Sequence, residues 1–136
     1  MELNIEIAKK IANACAEKAK EMGIPMVIAV VDNGANLVYL ERMDGAIIAG
    51  IRIAQDKAYT SAATGFGTND IAGISQPGQV AYGLANADGG RMIIFGGGLV
   101  LKNDNKIAGA VGISGGLANQ DHEVAQAGVG AFENMK

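Results

Sequence analysis

The stretch at residues 26–32 (MVIAVVD) constrains the fold most, because almost every position in it is apolar. Successive side chains of a β-strand point to opposite faces of the sheet, so both faces of this strand are apolar. That pattern is typical of a strand that is covered on both sides. The turn residues at 32–36 (DNGAN) and the extended pattern at 37–42 then predict a hairpin.

Three helices are predicted from apolar residues that recur at helical spacing. The first covers residues 4–22, and Asn4 is its expected N-cap. The second runs from Ala46 to about residue 62, where Asp44 can cap the free N–H groups. The third closes the chain near residues 118–133.

Three further strands are predicted at residues 91–95, 99–102 and 106–113, separated by glycine and asparagine turns. Residues 63–90 are rich in turn formers, and a connection of this length is usually functional or partly helical. Strands joined by short turns pair antiparallel. These elements predict an α/β (α+β) fold with a five-stranded antiparallel sheet flanked by helices.

A length of 136 residues and an apolar content of 49% fit one domain, residues 1–136, with a single core. Helices that pack on one face of the sheet would leave the second apolar face exposed. Association of copies is the simplest way to cover such a face, so we expect a homo-oligomer, a dimer or larger.

The charge pattern excludes several classes of function. The net charge is −3, and no segment concentrates lysine and arginine, so nucleic acid and anionic membranes are not expected partners. No apolar stretch approaches the about 18 residues that span a bilayer. The N-terminal residues show no secretory signal pattern, so we expect a cytoplasmic location.

Several motifs in a fixed order carry a family resemblance: RMDGA at 42–46, KAYT at 57–60, and GISGG at 112–116 followed by Gln120 and Asp121. In these the chain resembles the GlcG/HbpS/PduO C-terminal-domain family. The resemblance implies a five-stranded antiparallel sheet flanked by helices, in a profilin/PAS-like layout, and assembly into dimers or larger forms. Some members bind haem or promote its degradation, and the PduO-type domain is attached to a corrinoid adenosyltransferase.

The first candidate binding residues lie in two of these motifs. Arg42 can clamp a carboxylate or propionate by paired hydrogen bonds, or it can pair with a carboxylate of the protein while Asp44 caps a helix. Lys57 and Thr60 are three residues apart and share a helical face. The resemblance implies that Thr60 is an iron-side haem ligand, and the alternative makes both residues solvated or interface residues.

Further candidates lie in the second half of the chain. The backbone N–H groups at Gly97 and Gly115 can bind an anion, or these glycines can simply form tight turns. Asp121 is a candidate ligand-binding residue, although its position at a helix N-terminus is also favourable electrostatically. His122, the only histidine, is either an axial haem ligand or an exposed residue. The only cysteine, Cys15, is a small buried hydrophobe, a haem ligand or a redox-active residue.

A solitary histidine without nearby cysteines does not predict a dedicated metal site. The family pattern often has a threonine or serine cap after GISGG, where this chain has Leu117, so the predicted cap passes to Asn119. Some relatives bind a tetrapyrrole through a histidine in the first helix. This chain lacks that histidine, because residues 5–22 contain none.

The leading hypothesis is a homo-oligomeric protein that binds a small anionic ligand near residues 42–60 and a neighbouring subunit. The cofactor is left open between haem and cobalamin, in the setting of glycolate or diol and glycerol metabolism. One alternative is an accessory enzyme on a small hydroxy acid, with Arg42 as clamp and Lys57 or Asp44 as acid/base. Another is a non-catalytic assembly partner of a metabolic complex.

Overall fold

The computed structural model describes residues 2–136. Besides the elements below, it contains two single-turn 3-10 helices within the connection that precedes the third strand. The main elements, in chain order, are α1 (Ile5–Met22), β1 (Val27–Asp32), β2 (Leu37–Arg42), α2 (Ala49–Thr64), α3 (Thr68–Ile74), β3 (Gly98–Asn103), β4 (Lys106–Ser114) and α4 (Ala118–Asn134).

The sheet has the strand order β2-β1-β4-β3, and every neighbouring pair is antiparallel. The described sheet therefore contains four strands, and the prediction of a fifth strand at residues 91–95 is wrong. The backbone of this segment bonds to a helix side chain instead. The hydroxyl Oγ1 of Thr60 accepts a hydrogen bond from the N–H of Ile93 at 3.0 Å and lies 3.0 Å from the carbonyl oxygen of Arg91.

Both faces of β1 are buried within the chain. Ile28 and Val30 point into a core formed with α1 and α4. Val27 and Ala29 point to the other side, where small residues of α2 cover them. The prediction of a strand covered on both sides is confirmed. The expectation that one apolar face stays open until copies associate is wrong, because α2 covers that face.

A glycine in β4 allows α2 to lie close against the sheet. A Cβ atom at Gly112 would lie 2.0 Å from the carbonyl oxygen of Ala54 and 2.6 Å from the amide nitrogen of Ala58. Only a residue without a side chain permits this approach. As a result, the residues in the middle of α2 reach the end of β4.

Local sequence signals predicted the cap of the first helix correctly and the cap of the second helix wrongly. Asn4 caps α1 as predicted, and its side-chain oxygen accepts a hydrogen bond from the N–H of Ile7 at 2.9 Å. Asp44 does not cap α2, which begins at Ala49 with no side-chain cap. The residues around Asp44 form a separate turn, closed by a 3.0 Å bond from the N–H of Ala46 to the carbonyl oxygen of Met43.

Cys15 lies fully buried between α1 and α4, which confirms its interpretation as a small buried hydrophobe. Burial raises the pKa of its thiol to about 12. The facing residue of α4 is Gly128, where a Cβ atom would lie 2.6 Å from the sulfur of Cys15 and 3.2 Å from Ile11. No helix within residues 2–136 is long and apolar enough to cross a membrane.

We expect Gly128→Ala to destabilise the protein by about 1–3 kcal/mol, because the added methyl group overpacks the contact with Cys15. Gly130→Ala is the matched control, since a Cβ atom there meets nothing within 4 Å. It should stabilise the same helix by about 0.5–1 kcal/mol. Denaturant unfolding of both variants measures the difference, and equal stabilisation by the two changes would contradict the described packing.

Candidate functional site

The strand ends that carry the predicted site residues lie at one end of the sheet. Arg42 at the end of β2 pairs with Val27, which also pairs with Ser114 at the end of β4. Gly98 at the start of β3 lies at the same end. The two edge strands are three strand spacings apart, or about 14 Å. Residues on β2 and residues next to β3 therefore belong to separate clusters.

Arg42 and Asp44 lie exposed at the β2 edge. None of the ion pairs formed by residues 2–136 includes Arg42, so the alternative in which it pairs with a carboxylate of the protein is wrong for this part of the chain. A surface hollow of about 360 Å³ lies beside it, lined also by Lys20 and Met43. A role for Arg42 in binding an anion stays a prediction.

Lys57 occupies the centre of the second cluster. Its side chain is fully buried, and Nζ donates to Oδ2 of Asp121 at 2.9 Å and to the carbonyl oxygen of Ile113 at 2.8 Å. The ring of Phe95 covers the ammonium at 5.0 Å. Burial lowers the pKa of Lys57, and the carboxylate of Asp121 opposes this effect. The alternative in which Lys57 and Thr60 are solvated or interface residues is wrong, because both are buried within their own chain.

Asp121 connects the lysine to the start of α4. Its second oxygen, Oδ1, accepts a hydrogen bond from the N–H of Gly116 at 2.8 Å. The N–H of Leu117 bonds to the side chain of Gln120 at 2.8 Å, so the prediction that Asn119 caps this helix is wrong. Asn119 lies inside the first turn of α4.

Gly97 and Gly115 allow close packing around this pair. Gly97 has φ +129°, and a Cβ atom there would lie 2.6 Å from the carbonyl oxygen of Ile113 and 2.7 Å from Nζ of Lys57. Gly115 has φ +141°, and its Cβ would lie 2.8 Å from the carbonyl oxygen of Pro25. The structure therefore places Lys57, Gly97 and Asp121 in direct contact, while anion binding by the glycine N–H groups stays a prediction.

Thr60 holds the segment at residues 88–95, here called the strap, against α2. Its hydroxyl lies 2.7 Å from the carbonyl oxygen of Asp56, in addition to its contacts with Arg91 and Ile93. Asp56 also pairs with Nε of Arg91 at 3.1 Å. The hydroxyl of Tyr59 donates to Asp88, which fixes the other end of the strap. A ligand reaches the hydroxyl of Thr60 only if the strap moves.

A hollow of about 310 Å³ lies on the outer side of the Lys57 cluster, and its walls are mainly apolar. Three chain segments line it: α3, residues 95 and 96 at the end of the strap, and the start of α4. The lining residues are Asn69, Ala72, Phe95, Gly96, Ala118, Asn119 and His122.

His122 is half-buried in the wall of this hollow, so its interpretation as an exposed residue is wrong. Within the described residues, its Nδ1 atom is buried and has no hydrogen-bond partner. Buried polar atoms are normally paired, so an unpaired one requires an explanation. Sequence reasoning identified the histidine but not the hollow, since Phe95 and Gly96 approach it only in the folded chain.

Comparison with known proteins places this fold in a family. A family model described as "Haem degrading protein HbpS-like" matches residues 3–130. The chain belongs to the HbpS-like family. The resemblance read from the RMDGA, KAYT and GISGG motifs is thereby confirmed.

Two curated relatives and one solved structure illustrate the range of the family. An uncharacterised 15.0 kDa protein from the dhaT-dhaS intergenic region of Citrobacter freundii is 39% identical, over 98% of this chain and 94% of that protein. The corrinoid adenosyltransferase PduO of Salmonella typhimurium is 33% identical over 90% of this chain, but the match spans only 37% of PduO. The crystal structure of a PduOC:heme complex is 31% identical, with a TM-score of 0.92, over 96% of this chain and 95% of that one.

We expect Thr60→Val to loosen the strap, because it removes the hydroxyl that bonds the N–H of Ile93. The expected cost is about 1–3 kcal/mol, since buried backbone groups lose their partner. Hydrogen exchange at the amide of Ile93 should accelerate more than the global loss of stability explains.

Thr64→Val is the matched control for this change. The hydroxyl of Thr64 bonds mainly the carbonyl oxygen of Thr60, one turn earlier in the same helix. Equal exchange at Ile93 in the two variants would show that Thr60 does not hold the strap.

Proposed function

We propose that this protein is a homo-oligomeric haem-binding protein in which His122 supplies an axial ligand to the iron. One observation carries the proposal: the only histidine of the chain lines a mainly apolar hollow, and its buried Nδ1 has no partner among the described residues. An imidazole against an apolar slot is a common way to hold haem.

The residues of the hollow fit such a group. Phe95 offers an aromatic face, and Ala72 and Ala118 offer apolar walls for a flat ring system. Asn69 and Asn119 add side-chain amides that can donate hydrogen bonds to carboxylates. When bound, haem supplies a redox-active iron whose chemistry depends on its axial ligand and surroundings.

A bare metal ion needs more ligands from the protein than haem does, and this difference also favours haem. Within residues 2–136, no group of three His, Cys, Asp or Glu side chains could hold such an ion. The macrocycle of haem supplies the equatorial nitrogens itself, so one histidine is enough.

The size of the hollow supports a site that a second copy completes. A volume of about 310 Å³ lies at the lower end of the range for small-molecule sites, about 300–1,000 Å³. Leu117, next to the hollow in sequence, is 68% exposed, and Phe95 is 42% exposed. A neighbouring subunit that packs on these side chains would cover the rest of a macrocycle and exclude water.

The relatives support haem as the ligand class. PduOC is described as a complex with haem, and this chain aligns with nearly all of it. The corrinoid adenosyltransferase PduO extends well beyond the matched region, so its corrinoid chemistry is not carried over. The hypothesis of an enzyme in which Arg42 and Lys57 act on one substrate is disfavoured. Arg42 lies on the edge strand β2, whereas Nζ of Lys57 bonds Ile113 on β4 and the lysine is fully buried.

The direct test is a titration with haem at micromolar concentration, followed at the Soret band, with cobalamin as the comparison ligand. We expect a saturable Soret shift in the wild-type protein, and loss or displacement of that band in His122→Ala because the iron loses its imidazole. Cys15→Ala is the matched control, since Cys15 is buried between α1 and α4, away from the hollow.

The absence of a Soret shift in the wild-type protein contradicts the proposal, and so does an unchanged spectrum in His122→Ala. Light scattering of the haem-bound protein tests the assembly. We expect the mass of two or more chains, and a single-chain mass with full haem occupancy would overturn the shared site.

A further inference from the structure

The buried pair formed by Lys57 and Asp121 does not itself line the hollow, yet Lys57 packs beneath the ring of Phe95 and Asp121 directly precedes His122. We propose that Lys57 and Asp121 are positioning residues that fix His122 and the ring of Phe95 where both line the hollow. This inference rests on the proposed haem site, although part of its test does not require haem.

The first step of the argument is the position of the carboxylate. Both oxygens of Asp121 are used, one by Nζ of Lys57 at 2.9 Å and one by the N–H of Gly116 at 2.8 Å. These bonds join α2, the turn before α4 and the first turn of α4. His122 is the next residue in that turn, so the position of its backbone depends on the bonds of Asp121.

The second step concerns Phe95, which also lines the hollow. The same ammonium group lies beneath the ring of Phe95, at 5.0 Å from its centroid. Gly97 packs against Nζ so closely that a Cβ atom would lie 2.7 Å away. The ammonium group of Lys57 therefore contacts both the segment at residues 95–97 and the carboxylate of Asp121.

The third step is energetic. A buried ion pair is an inefficient stabiliser, because removing two charges from water offsets most of their attraction. Apolar side chains of similar volume often stabilise a fold as well or better. They cannot reproduce the directional bonds to the carbonyl oxygen of Ile113 and the N–H of Gly116. The advantage of the pair is therefore the geometry that it imposes at the hollow.

Two variants separate positioning from stability. Lys57→Met/Asp121→Leu replaces the pair by apolar side chains, and Asp121→Asn keeps the shape of the side chain while it removes the charge. Each variant is compared with the wild-type protein by unfolding, by haem titration and by NMR of the imidazole. Because the chain has one histidine, the imidazole signals belong to His122 alone.

We expect the double variant to fold with a stability near that of the wild-type protein, while the imidazole signals of His122 shift and broaden in the absence of haem. Haem affinity should fall by about 10- to 100-fold, the usual effect of removing a group that orients a metal ligand. Asp121→Asn should cause the same changes in the imidazole signals and in haem affinity. It tests the positioning role if the double variant does not fold. Gly128→Ala is the control for lowered stability alone, and its haem affinity should be unchanged.

Unchanged imidazole signals and wild-type haem affinity in a folded variant would overturn the positioning role and leave a structural one. If the wild-type protein does not bind haem, the proposed function fails, and the imidazole signals still decide whether the pair positions His122.

Discussion

The buried ammonium of Lys57 is the interaction on which this end of the molecule depends. A charge that is removed from water is tolerated only when it is paired and hydrogen-bonded, and Lys57 meets this condition through Asp121 and the carbonyl oxygen of Ile113. Its partners come from α4 and β4, while the lysine itself comes from α2. One side chain thus joins the two layers of helices across the end of the sheet. Gly112 makes the contact feasible, because it lets α2 approach β4.

The hollow is a consequence of this arrangement. The strap lies along α2 through Thr60 and then turns so that Phe95 covers the lysine. The start of α4 lies beside it, and Asp121 is bound to the same ammonium. A mainly apolar hollow with one imidazole therefore forms where α3, residues 95–96 and the start of α4 meet. Its modest volume and the exposed apolar side chains nearby are consistent with a site that copies of the chain complete together.

Local patterns predicted the local structure well. Asn4 caps its helix, the hairpin at β1 and β2 is present, and the nearly continuous apolar run of β1 correctly indicated cover on both faces. The error in the number of strands arose where a distant side chain competed with a local signal. Residues 91–95 resemble a strand, but Thr60 takes their backbone hydrogen bonds. The sheet was therefore overcounted by one strand.

The sequence predicted which residues belong to the candidate site better than it predicted how they are arranged. Lys57, Gly97 and Asp121 were all named, and they do lie together, whereas Arg42 lies at the other edge of the sheet. Burial of a lysine on a helix is not visible in the sequence, because its partner lies 64 residues further along the chain. The hollow was missed for the same reason, since its walls meet only when the strap and α4 are in place.

The most direct measurement of the central claim is a double-mutant cycle on Lys57 and Asp121, read as free energies of unfolding for Lys57→Met, Asp121→Leu and the double variant. Each single change leaves a buried charge without its partner and should lower the free energy of unfolding by about 3–5 kcal/mol. The double change should cost less than either single change, because it leaves no buried charge without a partner. Costs that add to within about 0.5 kcal/mol would show that the two residues do not act as a pair, and the account would be contradicted.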